Sequence, residues 1–121
     1  MHSEREFETG LRRGVDLFNA GRYFEAHEAW ERIWLGAPEP DRGIVQGLIQ
    51  AAAALLHRER NNPRGAARLW EKARGKLRSA PDTYRGLALE QLRAALERCF
   101  SASDMPEMRP RLRRIEQSST G

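Results

Sequence analysis

From Gly43 to His57 the chain runs for fifteen residues without a charge, and the period of its apolar positions leaves few folds open. At 100° per residue, Ile44, Leu48, Ile49, Ala52, Leu55 and Leu56 fill one side of a helix. Gly47, Ala51 and Ala54 make another side small. A helix that is apolar on one side and small on another is suited to packing on more than one face. The run also holds Gln46 and Gln50 and is too short to span a bilayer, which takes about 20 apolar residues. The spacing therefore predicts a central, buried helix from Gly43 to Glu59 with others packed around it.

The flanking segments repeat the helical period. Phe7, Leu11, Val15 and Phe18 step by three or four and stop near Asn19 to Gly21. Tyr23, Ala26, Trp30, Ile33 and Trp34 line a second helix, which Gly36, Pro38 and Pro40 end. Asp41 is placed either as N-cap of the central helix or in its first turn. Asn61, Asn62 and Pro63 start a fourth helix striped by Ala66, Leu69, Trp70, Ala73 and Leu77. A fifth is expected from about Thr83 to Phe100. The stretch SASDMPEMRP breaks it, and Met108, Leu112 and Ile115 suggest one short final turn. Period-two alternation is nearly absent, so strands are not expected.

The fold class expected is thus all-α, with five to six helices in two antiparallel hairpins around the central helix. Ala26, Trp30 and Glu31 echo Ala66, Trp70 and Glu71 at a spacing of 40, and the cadence resembles tetratricopeptide-like pairing. Residues 1–102 read as a single helical domain and 103–121 as a C-terminal extension with a frayed end.

At 121 residues the chain can bury about two-thirds of its unfolded surface, enough for one core. A single cysteine, Cys99, excludes an internal disulfide framework and suits a reducing compartment. The opening MHSEREFETG lacks the apolar stretch of a signal peptide, so a cytoplasmic location and no membrane partner are expected. Net charge is +4, carried by the second half: residues 61–121 hold 13 basic and 7 acidic side chains, against 8 and 10 before them. Arg64, Arg68, Lys72 and Lys76 form a ridge on the fourth helix. Exposed aromatics that could stack on bases are not interleaved with it, so a solvated face is preferred and nucleic acid is disfavoured as a partner.

The residues with chemical potential lie on the second and third helices. His27 and Glu31 are four apart, at the edge of an apolar face that includes Trp34. Gln46, Gln50 and His57 fall within about 40° of one another on the third helix. Were the two helices antiparallel neighbours, these side chains could form a small His/Glu/Gln pocket. One reading makes them a mutually satisfied structural cluster. Another makes His27, Glu31 and His57 ligands of a divalent transition metal such as zinc, iron or manganese, with Glu28 or Gln50 supporting them. A third has Glu31 orient His27 for metal-free acid–base hydrolysis. HEAWE is not a zinc-protease HExxH helix, because Glu31 stands where the second histidine would be. A module for protein interaction or self-association, a homo-oligomer included, remains as the alternative to an enzyme.

The runs FNAGRYFEAHEAWERIW, GLIQAAAALLH and NNPRGAARLWEKA, in that order, resemble the small all-helical bacterial and archaeal family known as domain of unknown function 309, DUF309. The resemblance covers residues from about 11 to 80. It implies a compact helical bundle with no established activity, ligand or partner, and its signature positions map onto His27, Glu28, Glu31, Trp34, Gln50 and His57.

Overall fold

The computed structural model describes residues 2–101 and 109–115. Five helices carry the fold: α1 (Glu4–Asn19), α2 (Tyr23–Trp34), α3 (Asp41–Glu59), α4 (Pro63–Arg78) and α5 (Leu89–Ser101). The first four form two antiparallel hairpins, α1–α2 and α3–α4, and α2 also packs on α3. All-α architecture with a central α3 is therefore what the sequence period implied. Val45, Leu48, Ala51, Ala52, Ala54 and Leu55 of α3 are essentially inaccessible to solvent.

Close approach of each helix pair depends on missing side chains. A Cβ on Gly14 would lie 2.0 Å from Nε1 of Trp30, and one on Gly10 would lie 2.3 Å from Cγ2 of Ile33. The two glycines, one turn apart on α1, form a notch for α2. Trp30 is fully buried there and donates its indole N–H to the Leu11 carbonyl at 3.1 Å, so its one polar atom is satisfied. In the second hairpin a Cβ on Gly47 would meet Leu77 Cδ2 at 2.9 Å and Lys76 Cβ at 3.0 Å. Ala66, Trp70, Ala73 and Leu77 form the buried stripe of α4.

Local signals set the boundaries. Ser3 and Glu6 form a reciprocal capping box at the start of α1. Gly21, with φ of 77°, lets the chain reverse between α1 and α2. Pro40 occupies the N-cap position of α3 and provides no side-chain cap, so Asp41 stands in the first turn.

Two expectations are corrected beyond α4. The fifth helix begins at Leu89 rather than near Thr83, because Thr83–Tyr84 (β1) and Leu87–Ala88 (β2) pair antiparallel through a two-residue turn. That turn places Arg85 at φ 48° and Gly86 at φ 79°, the doubly left-handed geometry of tight hairpins. The expected final helical turn is also absent among the described residues. Residues 109–115 carry no helix and lie along the hairpin, with Ala88 donating to the Arg113 carbonyl at 2.9 Å and Ile115 to that of Gly86 at 2.7 Å. Asn19 at the end of α1 holds this ribbon at both polar groups of Leu112: its amide donates to the carbonyl at 3.0 Å and its oxygen accepts from the N–H at 2.8 Å. Leu112 is fully buried as a result. Met108 and most of the expected breaker, residues 102–108, lie outside the described residues.

Gly14→Ala should lower unfolding free energy in urea by about 1–3 kcal/mol, because the notch has no room for a methyl. Gly75→Ala, on α4 with open space around its Cα, should raise it by up to about 1 kcal/mol. Equal effects of the two would contradict the packing role of the notch.

Candidate functional site

The polar residues singled out from sequence divide into local groups. On α2, His27 is half-buried, with Nδ1 3.3 Å from the Glu31 carboxylate. This is ion-pair distance for a protonated ring, but the atoms are not aligned as a hydrogen bond, and His27 Nδ1 has no hydrogen-bond partner among the described residues. Trp34, a turn further along the same edge, lies under the Arg42 guanidinium at 5.5 Å. Its buried indole N–H likewise lacks an acceptor among the described residues. Glu28 is exposed.

His57 belongs to the α3–α4 junction. The Asn62 oxygen accepts from the Gly65 N–H at 3.2 Å and caps α4, which turns the amide nitrogen toward His57 Nδ1 at 2.9 Å. Asn62 therefore donates and Nδ1 accepts, so the ring proton sits on Nε2 in this arrangement. A Cβ on Gly65 would come within 2.9 Å of that nitrogen, so glycine makes room for the pair. Gln46 and Gln50 are half-buried on α3. Gln50 lines an open cleft of about 810 Å³ between α3 and α4, together with Gly43, Lys72 and Lys76. The side-chain carbonyl of Gln50 is buried and has no hydrogen-bond partner among the described residues.

Among the described residues no hydrogen bond or ion pair joins His27, Glu31 or Trp34 of α2 to Gln46, Gln50 or His57 of α3. Among the described residues no group of three or more His, Cys, Asp or Glu could hold a metal ion. The trio His27, Glu31 and His57, one of the readings the sequence left open, does not form such a group among the described residues. The pair His27–Glu31 and the pair His57–Asn62 each form within one helix or one turn, where spacing dictates contact.

The most developed charged cluster went unread in the sequence. Arg85, at the hairpin tip, contacts carboxylates from two helices: Glu8 of α1 at 3.0 Å and Asp41 of α3 at 3.2 Å, with Glu4 of α1 completing the set. Its guanidinium lies 4.5 Å from the centre of the Phe7 ring, and Tyr84 donates its hydroxyl to Asp41. Burial works against the charge on Arg85, but hydrogen bonds to Glu4, Asp41 and Glu8 outweigh it and hold the guanidinium protonated more firmly than usual. Burial, and then the Asp41 carboxylate, push the Tyr84 hydroxyl well above its ordinary value. The only sequence signal was Arg-Gly between Thr-Tyr and Leu-Ala, too short to register as alternation.

Residues 11–69 match the family described as Domain of unknown function (DUF309), so the resemblance carried by the His27, Gln50 and Asn62 motifs is shown over that stretch. The chain is also similar to a protein of Aquifex aeolicus (strain VF5) named "Uncharacterized protein", 31% identical over 103 residues. That alignment covers 82% of this chain and 31% of the relative, so the chain spans less than a third of the length of the protein it matches. No described helix is long and apolar enough to cross a membrane.

The Arg85 cluster gives a pH dependence of definite sign. Burial disfavours the Glu8 carboxylate, yet hydrogen bonds from Arg12 and Arg85 prevail and lower its pKa below the model-compound 4.5. A carboxyl with a depressed folded-state value contributes stability that is present above about 4.5 and lost as pH falls through the lower value. Arg85→Met should cost about 2 kcal/mol at pH 7 by leaving Glu8 and Asp41 without their shared cation. Chemical unfolding from pH 7 to 3 should then show a shallower decline in stability for the variant than for the parent chain; parallel declines would contradict the role given to Arg85.

Proposed function

We propose that the chain is a helical binding module that works through the outer face of the α3–α4 hairpin. The observation that carries this reading is the α3–α4 cleft lined by Gln50, whose side-chain carbonyl is buried and has no hydrogen-bond partner among the described residues. A buried polar atom without a partner costs about 1–3 kcal/mol, and a position that retains such a cost is accounted for by a ligand that supplies the missing donor. The cleft is open, and its floor near Ile44, Ala80 and Pro81 is apolar, a combination suited to a partner that brings both apolar contact and hydrogen-bond donors. A cytoplasmic setting belongs to the same proposal and is supported by the lone Cys99, which has no second cysteine with which to form an internal disulfide.

The hydrolytic alternative retains the His27–Glu31 pair, in which a carboxylate could orient an imidazole. The α3–α4 reading is preferred because Gln50 lines a cleft of about 810 Å³, whereas the contact that defines His27 is with Glu31 of its own helix.

The test is amide chemical-shift mapping with a small library of amide- and alcohol-bearing fragments. Shifts should cluster at residues 43–50 and 72–80 and disappear in Gln50→Leu, which should fold and be at least as stable as the parent. Shifts centred on residues 27–34, or none anywhere, would contradict the proposal.

A further inference from the structure

The cations of α4 gain a meaning from the structure that their sequence spacing lacks. Arg64, Arg68, Lys72 and Lys76 are all exposed, and none forms an ion pair among the described residues. Many other basic side chains are neutralised: Arg12, Arg22, Arg74, Arg85, Arg93, Arg109 and Arg114 each reach a carboxylate. Glu71, the sole acid of α4, is turned to Arg74 at 3.6 Å, and Arg74 is itself held by Glu97 of α5 at 2.7 Å. The ridge is therefore left uncompensated by its own helix.

The neighbouring helix does not compensate it either. Beside α4 runs the charge-free stretch of α3, whose half-buried edge carries Gln46, Gln50 and His57 and no carboxylate between Gly43 and His57. Of the two acids that line the cleft, Glu71 is turned to Arg74 and Glu39 accepts from the Gly43 N–H at 3.0 Å. Successive cations are one helical step of about 6 Å apart, so the ridge spans about 18 Å and turns about 40° per step toward α3. Lys72 and Lys76 reach the cleft.

We propose that this face binds the phosphate backbone of duplex nucleic acid, with Arg64, Arg68, Lys72 and Lys76 as the phosphate contacts and the α3 amides as hydrogen-bonding neighbours. The inference uses the same α3–α4 face but goes beyond the reading above, because a phosphodiester backbone accepts hydrogen bonds and is held by the cations rather than by the Gln50 carbonyl. A regular row of uncompensated cations matches a polymer with regularly spaced anions, and Arg forks fit phosphate oxygens. A duplex is favoured over a single strand because the face offers no aromatic platform: Trp70 is buried and stacked on Phe100 at 5.2 Å. The absence of exposed aromatics along this ridge, which the sequence counts against nucleic acid in general, therefore bears only on unpaired bases. Contact of this kind positions the protein on a backbone without reading sequence.

The test uses the full chain and a fluorescein-labelled 20-base-pair DNA duplex of mixed sequence, with anisotropy measured from 50 to 200 mM salt. Four phosphate contacts predict a log–log salt slope of about −3.6, hence about a hundredfold loss of affinity over that range. Arg68→Gln and Lys72→Gln should each reduce the slope by about 0.9, and the fourfold Gln variant should abolish binding while its helical circular dichroism is kept. Arg111→Gln with Arg113→Gln, on the C-terminal ribbon, should leave the affinity unchanged. No binding at 50 mM salt, binding insensitive to the α4 variants, tighter binding to the single strand, or equal affinity for a 15-residue glutamate peptide would each overturn the proposal. Fragment shifts are read without phosphate, so they can succeed where duplex binding fails, and the two inferences fall separately.

Discussion

The close approach of α3 to its neighbours is the constraint on which the rest of the structure depends. A helix can be central only if it has no charge to solvate and no bulk where a second backbone must come near. The stretch from Gly43 to His57 meets both conditions, with leucines and isoleucines on one side and Gly47, Ala51 and Ala54 on another. The same economy recurs in α1, where Gly10 and Gly14 receive Ile33 and Trp30. Two hairpins with narrow seams leave α3 buried along most of its length and exposed along one polar edge. That edge, with α4 beside it, is the surface on which the functional reading rests.

Away from the helix seams, order is imposed by directed polar contacts rather than by area. Arg85 draws the start of α1, the start of α3 and the hairpin tip to one point, and does so from a left-handed backbone position that costs about 1–3 kcal/mol. Asn19 closes both backbone groups of Leu112 and so brings the C-terminal ribbon onto the body. Arg93 of α5 donates to the carbonyls of Leu77 and Ala80 at 3.1 and 2.9 Å, serving the end of α4 from a distance. These arginines and the asparagine link segments separated by 13 to 93 residues in sequence.

How much was legible follows from the range of each interaction. The four helices through Arg78 were readable because burial repeats every three to four residues and their ends carry Gly, Pro or Asn. The hairpin was not, since two-residue strands are too short to alternate and Tyr84 and Leu87 fit a helical stripe equally well. The Arg85 cluster was invisible because Arg85 lies 44 to 81 residues from its carboxylate partners and no local pattern marks them. Within the candidate site, periodicity placed His27, Glu31, Gln46, Gln50 and His57 on the right helices and on half-buried or edge positions. It could not say that Asn62 would engage His57 or that Gln50 would line the α4 side of α3, because azimuth on one helix does not fix which neighbour that azimuth meets.

The central claim is that His27 and His57 serve separate local arrangements, His27 with Glu31 on α2 and His57 with Asn62 at the α3–α4 junction. A double-mutant cycle tests it most directly: the unfolding free energies of His27→Ala, His57→Ala and the double variant measured in urea at one pH. The account predicts additivity within about 0.5 kcal/mol, as for sites that share no partner. A coupling energy above about 1 kcal/mol would mean that the two imidazoles act as one unit, and would contradict it.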